Sequence, residues 1–143
     1  MRAASVDKLG ALPVSVSLPE PVAGEKQSLI SVSAASLNPV ELRVASGRMP
    51  GVSPPYVPGL EGVGTIVSSA SFPEGTRVRF ENDLAGFGKD GAMRELAVAD
   101  DEAIIEIPDR IADAEAAAVG VVGVTSELAY RLAGMSGGER VAV

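Results

Sequence analysis

Short alternating segments dominate the first hundred residues. Val14, Val16 and Leu18 alternate with Ser15 and Ser17, the period-two pattern of a half-buried strand, and Pro19-Glu20-Pro21 ends it. After the polar turn Gly24-Glu25-Lys26-Gln27, Ile30, Val32 and Ala34 alternate with Ser31 and Ser33 and predict a second strand. Val63, Thr65 and Val67 share one face of a third, with Gly62 and Gly64 between them where a neighbouring backbone approaches closely. Pro73-Glu74-Gly75 predicts a turn into Arg77-Val78-Arg79-Phe80. Met93 to Val98 and Ala103 to Ile107 complete the set. Short strands at this spacing point to a barrel or sandwich rather than to repeated βαβ units.

One short helix interrupts the strands. Asn38 suits an N-cap, Pro39 the first helical position, and Glu41 falls three residues after the cap. Val40 and Val44, four apart, are expected to face inward, and Gly47 to stop the helix. Beyond Ile107-Pro108-Asp109 the pattern turns helical. Asp113 is expected to cap Ala114-Glu115-Ala116-Ala117-Ala118, and Val121, Val124, Leu128 and Leu132 to mark one face of a second helix ending at Gly134. Ser136-Gly137-Gly138 predicts a turn, and Arg140-Val141-Ala142-Val143 begins an apolar strand. That strand's partners are unaccounted for at Val143, which predicts a piece of a longer chain.

Composition narrows the chemistry. The 143 residues are 46% hydrophobic and 22% charged, ordinary for a soluble globular fold. With no Cys there is no disulfide, thiol nucleophile or thiolate metal site. With no His the commonest zinc ligand and the usual base of a nucleophilic triad are missing. The net charge of −7 is local: Glu81 to Glu115 holds eleven acidic and three basic residues, while the chain has only three Lys. Nucleic acid and anionic membrane surfaces are therefore disfavoured, and the acidic run reads as a solvated face. No apolar stretch reaches the ~18 residues of a membrane span, and Met1 to Asp7 holds no signal-peptide core, so a cytoplasmic location is expected.

Taken in order, several segments resemble the medium-chain dehydrogenase/reductase superfamily. Ala35-Ser36-Leu37-Asn38-Pro39-Val40-Glu41 with Ser46-Gly47-Arg48-Met49-Pro50 resembles that family's loop and helix beside the active site. Pro55-Tyr56-Val57-Pro58-Gly59-Leu60-Glu61-Gly62-Val63-Gly64 resembles its Pro-Gly-His-Glu-x-x-Gly signature. Glu74-Gly75-Thr76-Arg77-Val78 is similar to its Gly-Asp-Arg-Val turn, and Gly91 to Leu96 to its Gly-x-x-Ala-Glu-Tyr strand. Ala116-Ala117-Ala118 through Gly123-Val124-Thr125 resembles the stretch leading to its nucleotide domain. Each motif alone is weak; five in the right order and spacing are specific.

Zinc-dependent members carry Cys at the position matching Asn38 and His at that matching Leu60, so the chain resembles the zinc-independent, quinone-oxidoreductase-like branch. Arg43 and Met49 stand where that branch often has aromatics, and the spacer Ser68 to Phe72 is shortened. The resemblance implies a mainly β fold: a GroES-like, partly open barrel over residues 1–118. Residues 119–143 would then be the connecting helix and first strand of a truncated Rossmann domain. It further implies NADPH but no zinc, a quinone or conjugated carbonyl as small-molecule substrate, and a homodimer when whole. The chain alone would be inactive, because the glycine-rich phosphate turn should follow Val143. Gly134 to Gly138 precedes its strand and is a helix stop.

Asn38 and Thr125 are the implied cofactor contacts, Arg43 belongs to the substrate pocket, and no metal ligand is assigned. Each residue has a structural alternative. Asn38 also suits a cap, and Thr125 a hydroxyl bonded within its helix. Glu61 is either a buried carboxylate with a partner such as an Arg or a turn residue, and the resemblance favours the paired structural carboxylate over a catalytic one. Tyr130 suits helix packing, and Ser126 has no His to activate it. A stand-alone GroES-like binding module is the alternative to a reductase.

Overall fold

Alternation places one face of each strand against a core, and the sheet is built on the longest of these runs. In the computed structural model, which describes residues 1–82 and 87–140, the strands are β1 Arg2–Ser5, β2 Val14–Ser17, β3 Gln27–Ala35, β4 Glu61–Ser68, β5 Arg77–Glu81, β6 Leu96–Asp100 and β7 Ile104–Glu106. The helices are α1 Pro39–Ala45 and α2 Asp113–Leu132. Five strands pair antiparallel in the order β6-β3-β4-β5-β7, and β1 with β2 forms a separate antiparallel hairpin. Ala3 bridges Arg94 and Val6 bridges Tyr56, tying that hairpin to the larger body. The result is the mainly β, partly open barrel that the resemblance implies, one of the two architectures that the strand spacing leaves open.

Successive side chains on a strand point to opposite faces, and β4 shows what each face does. Ile66 joins Ile30, Val78, Phe80, Ala92, Ala97, Ala99 and Ile104 in the barrel core. Val63, on the other face, packs against Ala116 and Ala117 of α2. Gly62 and Gly64 lie where neighbouring atoms crowd β4. A Cβ on Gly64 would sit 2.1 Å from the Ser31 carbonyl oxygen, and one on Gly62 would sit 2.8 Å from the Phe80 ring. The close approach expected at these glycines is present. A smaller cluster, Val6, Val44 and Tyr56, seats α1.

Some local expectations are revised and others are met. β1 is not legible in the pattern, because Arg2-Ala3-Ala4-Ser5 lacks the large apolar residues that mark a strand; it forms through long-range pairing with β2. The strand expected from Met93 starts only at Leu96, since Gly91, Ala92 and Met93 donate their N–H groups to the Val57, Gly59 and Pro58 carbonyls. The two expected C-terminal helices are one, α2, and Ala112 rather than Asp113 is its N-cap. Asp113 instead pairs with Arg77. The expected boundary between residues 118 and 119 falls inside α2. Val44 is buried and Val40 half-buried, and Gly47 ends α1 at φ +74°. The expected strand at Arg140 to Val143 lies outside the described residues, apart from Arg140. Among the described residues no helix is long and apolar enough to cross a membrane.

The tight packing at Gly64 sets a test. Gly64→Ala should lower stability by about 2–3 kcal/mol, because the neighbour it meets is backbone and cannot rotate away. Gly137→Ala, with nothing within 4 Å of its added Cβ, should stay within about 0.5 kcal/mol. Urea midpoints of the two variants measure the difference.

Candidate functional site

The loop from β3 into α1 and the loop entering β4 meet at two buried carboxylates. Glu41, on the first turn of α1, accepts from the Asn38 backbone N–H at 2.5 Å and from the Leu60 N–H at 2.7 Å. A residue expected only to complete a helix cap therefore also holds Asn38 and Leu60, the positions matching the zinc ligands of the resembled family, in one place. Their side chains are an amide and a hydrocarbon, which is no ligand set for zinc. Among the described residues no three His, Cys, Asp or Glu side chains gather as a metal-binding group.

Glu61, the first residue of β4, is the second carboxylate and is fully buried. Its Oε1 accepts from the Ser36 hydroxyl at 2.7 Å and from Asn38 Nδ2 at 3.0 Å. Its Oε2 accepts from Arg79 Nη2 at 2.6 Å and from the Val121 backbone N–H at 3.0 Å. The paired structural carboxylate, one of the two readings of Glu61, is what the fold contains. Strand register explains the partner: Glu61 lies directly opposite Glu81, and Arg79 opposite Val63. Like charges facing each other across strands repel. Arg79 Nη2 lies between them and also donates to Glu81 at 2.5 Å.

Burial by itself raises the Glu61 pKa, but the bonds from Ser36, Arg79, Asn38 and the Val121 amide together outweigh it. The carboxyl therefore lies below the ordinary glutamate range. Burial likewise opposes the charge on Arg79, and its bonds to Glu81 and Glu61 overcome that, leaving its pKa above the ordinary value. Helix α2 reaches this ion pair because residue 120 has no side chain. A Cβ there would lie 1.5 Å from Glu61 Oε2 and 2.2 Å from Arg79 Nη2. A glycine inside a helical run is the sequence signal for this contact, but it does not say what approaches.

Asn38 is 3% exposed and sits at the N-cap of α1, yet its side chain makes no capping bond. Nδ2 instead donates toward Ser36 Oγ and Glu61 Oε1, each at 3.0 Å. The cap reading is thus half right: Glu41 bonds back to the backbone, but the Asn38 amide turns to Glu61. Thr125 is exposed and donates to the Val121 carbonyl at 2.7 Å, its structural alternative, and Ser126 donates likewise to Val122 at 2.8 Å. No hydrogen bond among the described residues links Thr125 to Asn38.

Arg43 lies exposed in the last turn of α1. It is not among the residues lining the neighbouring apolar cavity of about 210 Å³, which include Leu12, Leu37, Leu42 and Pro58. Tyr130 is 40% exposed, contrary to the packing expected of it. Val124, Leu128 and Leu132 are exposed too, and with Ile107 and Ile111 the first two line an apolar groove of about 580 Å³ beside α2.

The alcohol dehydrogenase GroES-like domain family matches residues 24–109, more than half of the chain. A zinc-type alcohol dehydrogenase-like protein of Schizosaccharomyces pombe is 35% identical over 130 residues, covering 90% of this chain and 39% of that protein. Human quinone oxidoreductase is 31% identical over 131 residues, covering 85% and 38%. The quinone oxidoreductase of Thermus thermophilus, solved also in complex with NADPH, superposes with a TM-score of 0.80. Its identity is 28%, over 97% of this chain and 43% of that one. The chain thus spans under two fifths of the length of these two curated relatives.

The sign of the Glu61 shift sets a pH test. Its stabilising contribution is complete above the ordinary glutamate range and is lost as pH falls through the depressed folded value. Arg79→Gln removes a group that holds the carboxylate ionised, so the folded value rises and the acid-side loss should be smaller and end at higher pH. Glu61→Gln should cost roughly 2–4 kcal/mol, because it leaves a buried guanidinium with only Glu81. Thermal midpoints across the acid range report both; an unchanged acid limb in Arg79→Gln would contradict the assignment.

Proposed function

Because the chain belongs to the alcohol dehydrogenase GroES-like domain family, we propose that it forms the barrel side of an NADPH-dependent oxidoreductase that reduces a quinone or conjugated carbonyl without zinc. The observation that carries this reading is the superposition, over 97% of the chain, on a quinone oxidoreductase solved with NADPH. The motif resemblance to the medium-chain dehydrogenase/reductase superfamily and its quinone-oxidoreductase-like branch agrees with the family match and with these relatives.

NADPH supplies the hydride when bound, and a conjugated carbonyl or quinone already accepts electron density at carbon, so the reaction does not require a metal. The chain's own residues then position the reactants and exclude water. Asn38, locked by Glu61 and Ser36, is the contact proposed for the nicotinamide end of the site, with Thr125 on α2 as a second. The acceptor is proposed to lie along α1, where Arg43 adjoins in sequence the residues lining the apolar cavity.

The coenzyme's phosphates are assigned to a second, Rossmann-type domain. Helix α2 is the proposed connection to it, from residue 119 onward. Gly134, at φ +63°, and Gly138, at φ +93°, follow the helix as a stop and turn and do not form an anion cradle at a helix start. The exposed side chains of α2 are the surface such a domain would cover. The whole protein is proposed, by resemblance, to act as a cytoplasmic homodimer on a small molecule. The acidic run supports excluding nucleic acid.

Two measurements test this reading. Calorimetric titration of NADPH should show binding to the full-length gene product and little to the 143-residue chain; tight binding by the chain overturns the placement of the phosphate site. The chain should also bind a dye specific for exposed apolar surface and self-associate in sedimentation. A compact monomer without dye uptake would instead favour the stand-alone module.

A further inference from the structure

Arg94 stands where the resembled Gly-x-x-Ala-Glu-Tyr segment has alanine, so a long cation replaces a methyl group just ahead of β6. Its side chain is 9% exposed, and Asp90 Oδ2 lies 3.7 Å from Nη1, too far for a hydrogen bond. The other Asp90 oxygen takes the Val57 N–H at 2.8 Å. Arg94 Nε is buried without a hydrogen-bond partner. Burial holds the Arg94 pKa below its ordinary value, with Asp90 pulling the other way. A guanidinium keeps its proton in proteins, so an under-paired charge is retained here.

A second unmet donor belongs to the same space. Asn82 follows β5, where its backbone N–H donates to the Leu60 carbonyl at 2.7 Å, and its Nδ2 is buried without a partner. Arg94, Asp90 and Asn82 line one polar cavity of about 450 Å³, large enough for a small molecule. Glu81, Lys89 and Asp100 also line it, so among the described residues three carboxylates stand with two cations. Glu81 is already paired with Arg79 at 2.5 Å, whereas Asp100 has the neutral Gln27 amide at 2.8 Å. A bare anion would suit Arg94 and Asn82 but meet three carboxylates. A bare cation would leave both donors unmet and face two like charges. A molecule carrying both charges avoids each conflict.

We propose that this cavity binds a small amino-acid zwitterion, its carboxylate paired with the Arg94 guanidinium beside Asn82 and its ammonium set toward Asp100. Asn38, Arg43 and Thr125 do not line the cavity, so the site stands apart from the residues assigned to the coenzyme and its acceptor. The test is nuclear magnetic resonance on the labelled 143-residue chain, following the Arg94 Nε–H and the Asn82 side-chain signals. Alanine and 4-aminobutyrate present the two charges at short and long spacing; butyrate and butylamine carry one charge each.

At millimolar concentration at least one of the two zwitterions should shift both signals. Butyrate should bind roughly fivefold more weakly, the loss of one partly exposed ion pair, and butylamine should leave both signals in place. Asp100→Asn, a change at an exposed position, should bring the zwitterion to the butyrate level and leave butyrate no weaker. Arg94→Ala, which restores the residue of the resembled motif, should abolish binding of both. Silence of both zwitterions overturns the site and leaves water alone to fill the cavity. Butyrate binding as tightly as the better zwitterion, or butylamine moving the same signals, overturns the choice of ligand, and these titrations need no variant to fold.

Discussion

A single buried carboxylate organises this molecule. Glu61 receives hydrogen bonds from the β3–α1 loop, from β5 and from α2, and three parts of the chain meet at its two oxygens. Burying an ionised group is costly unless it is paired and its lone pairs are used, and a half-satisfied network would be worse than an apolar core. Here all four interactions are present. The constraint runs outward from there: Arg79 must stand opposite Val63, residue 120 must lack a side chain, and the amide of Asn38 must face inward.

The sheet makes this possible by separating two tasks on alternate residues of β4. Ile66 faces the barrel core, where Gly62 and Gly64 let Phe80 and the β3 backbone approach. Glu61 and Val63 lie on the other face, under α2. A one-residue slip would exchange the two sets and place the carboxylate in the hydrocarbon core. The polar junction at Glu61 is thus as strongly specified by register as the apolar core is. The second carboxylate, Glu41, does for the backbones of Asn38 and Leu60 what Glu61 does for side chains.

Much of the scaffold is legible from local pattern. The strands at Val14, Ile30, Val63 and Arg77, the turn at Gly75 and the stop at Gly47 follow from alternation and turn chemistry acting over a few residues. β1 does not, since Arg2-Ala3-Ala4-Ser5 has little intrinsic strand signal and takes its conformation from β2. Gly120 and Gly123 weaken a helix in isolation, yet α2 runs through both; at Gly120 the gain from reaching Glu61 offsets that weakness. Tyr130 and Leu128 carry helical spacing, but spacing cannot say whether a covering surface exists.

From the residues alone came the strand-rich class, the helix at Asn38-Pro39, the acidic balance that disfavours nucleic acid, and the lack of thiol and imidazole chemistry. Tertiary structure decided the partner of Glu61, the seat of α2 and the direction of the Asn38 carboxamide. The physical reason is separation along the chain. Periodicity and capping act between residues a few positions apart, whereas Glu61 joins groups 18, 23 and 60 residues away, and only the folded register brings those together.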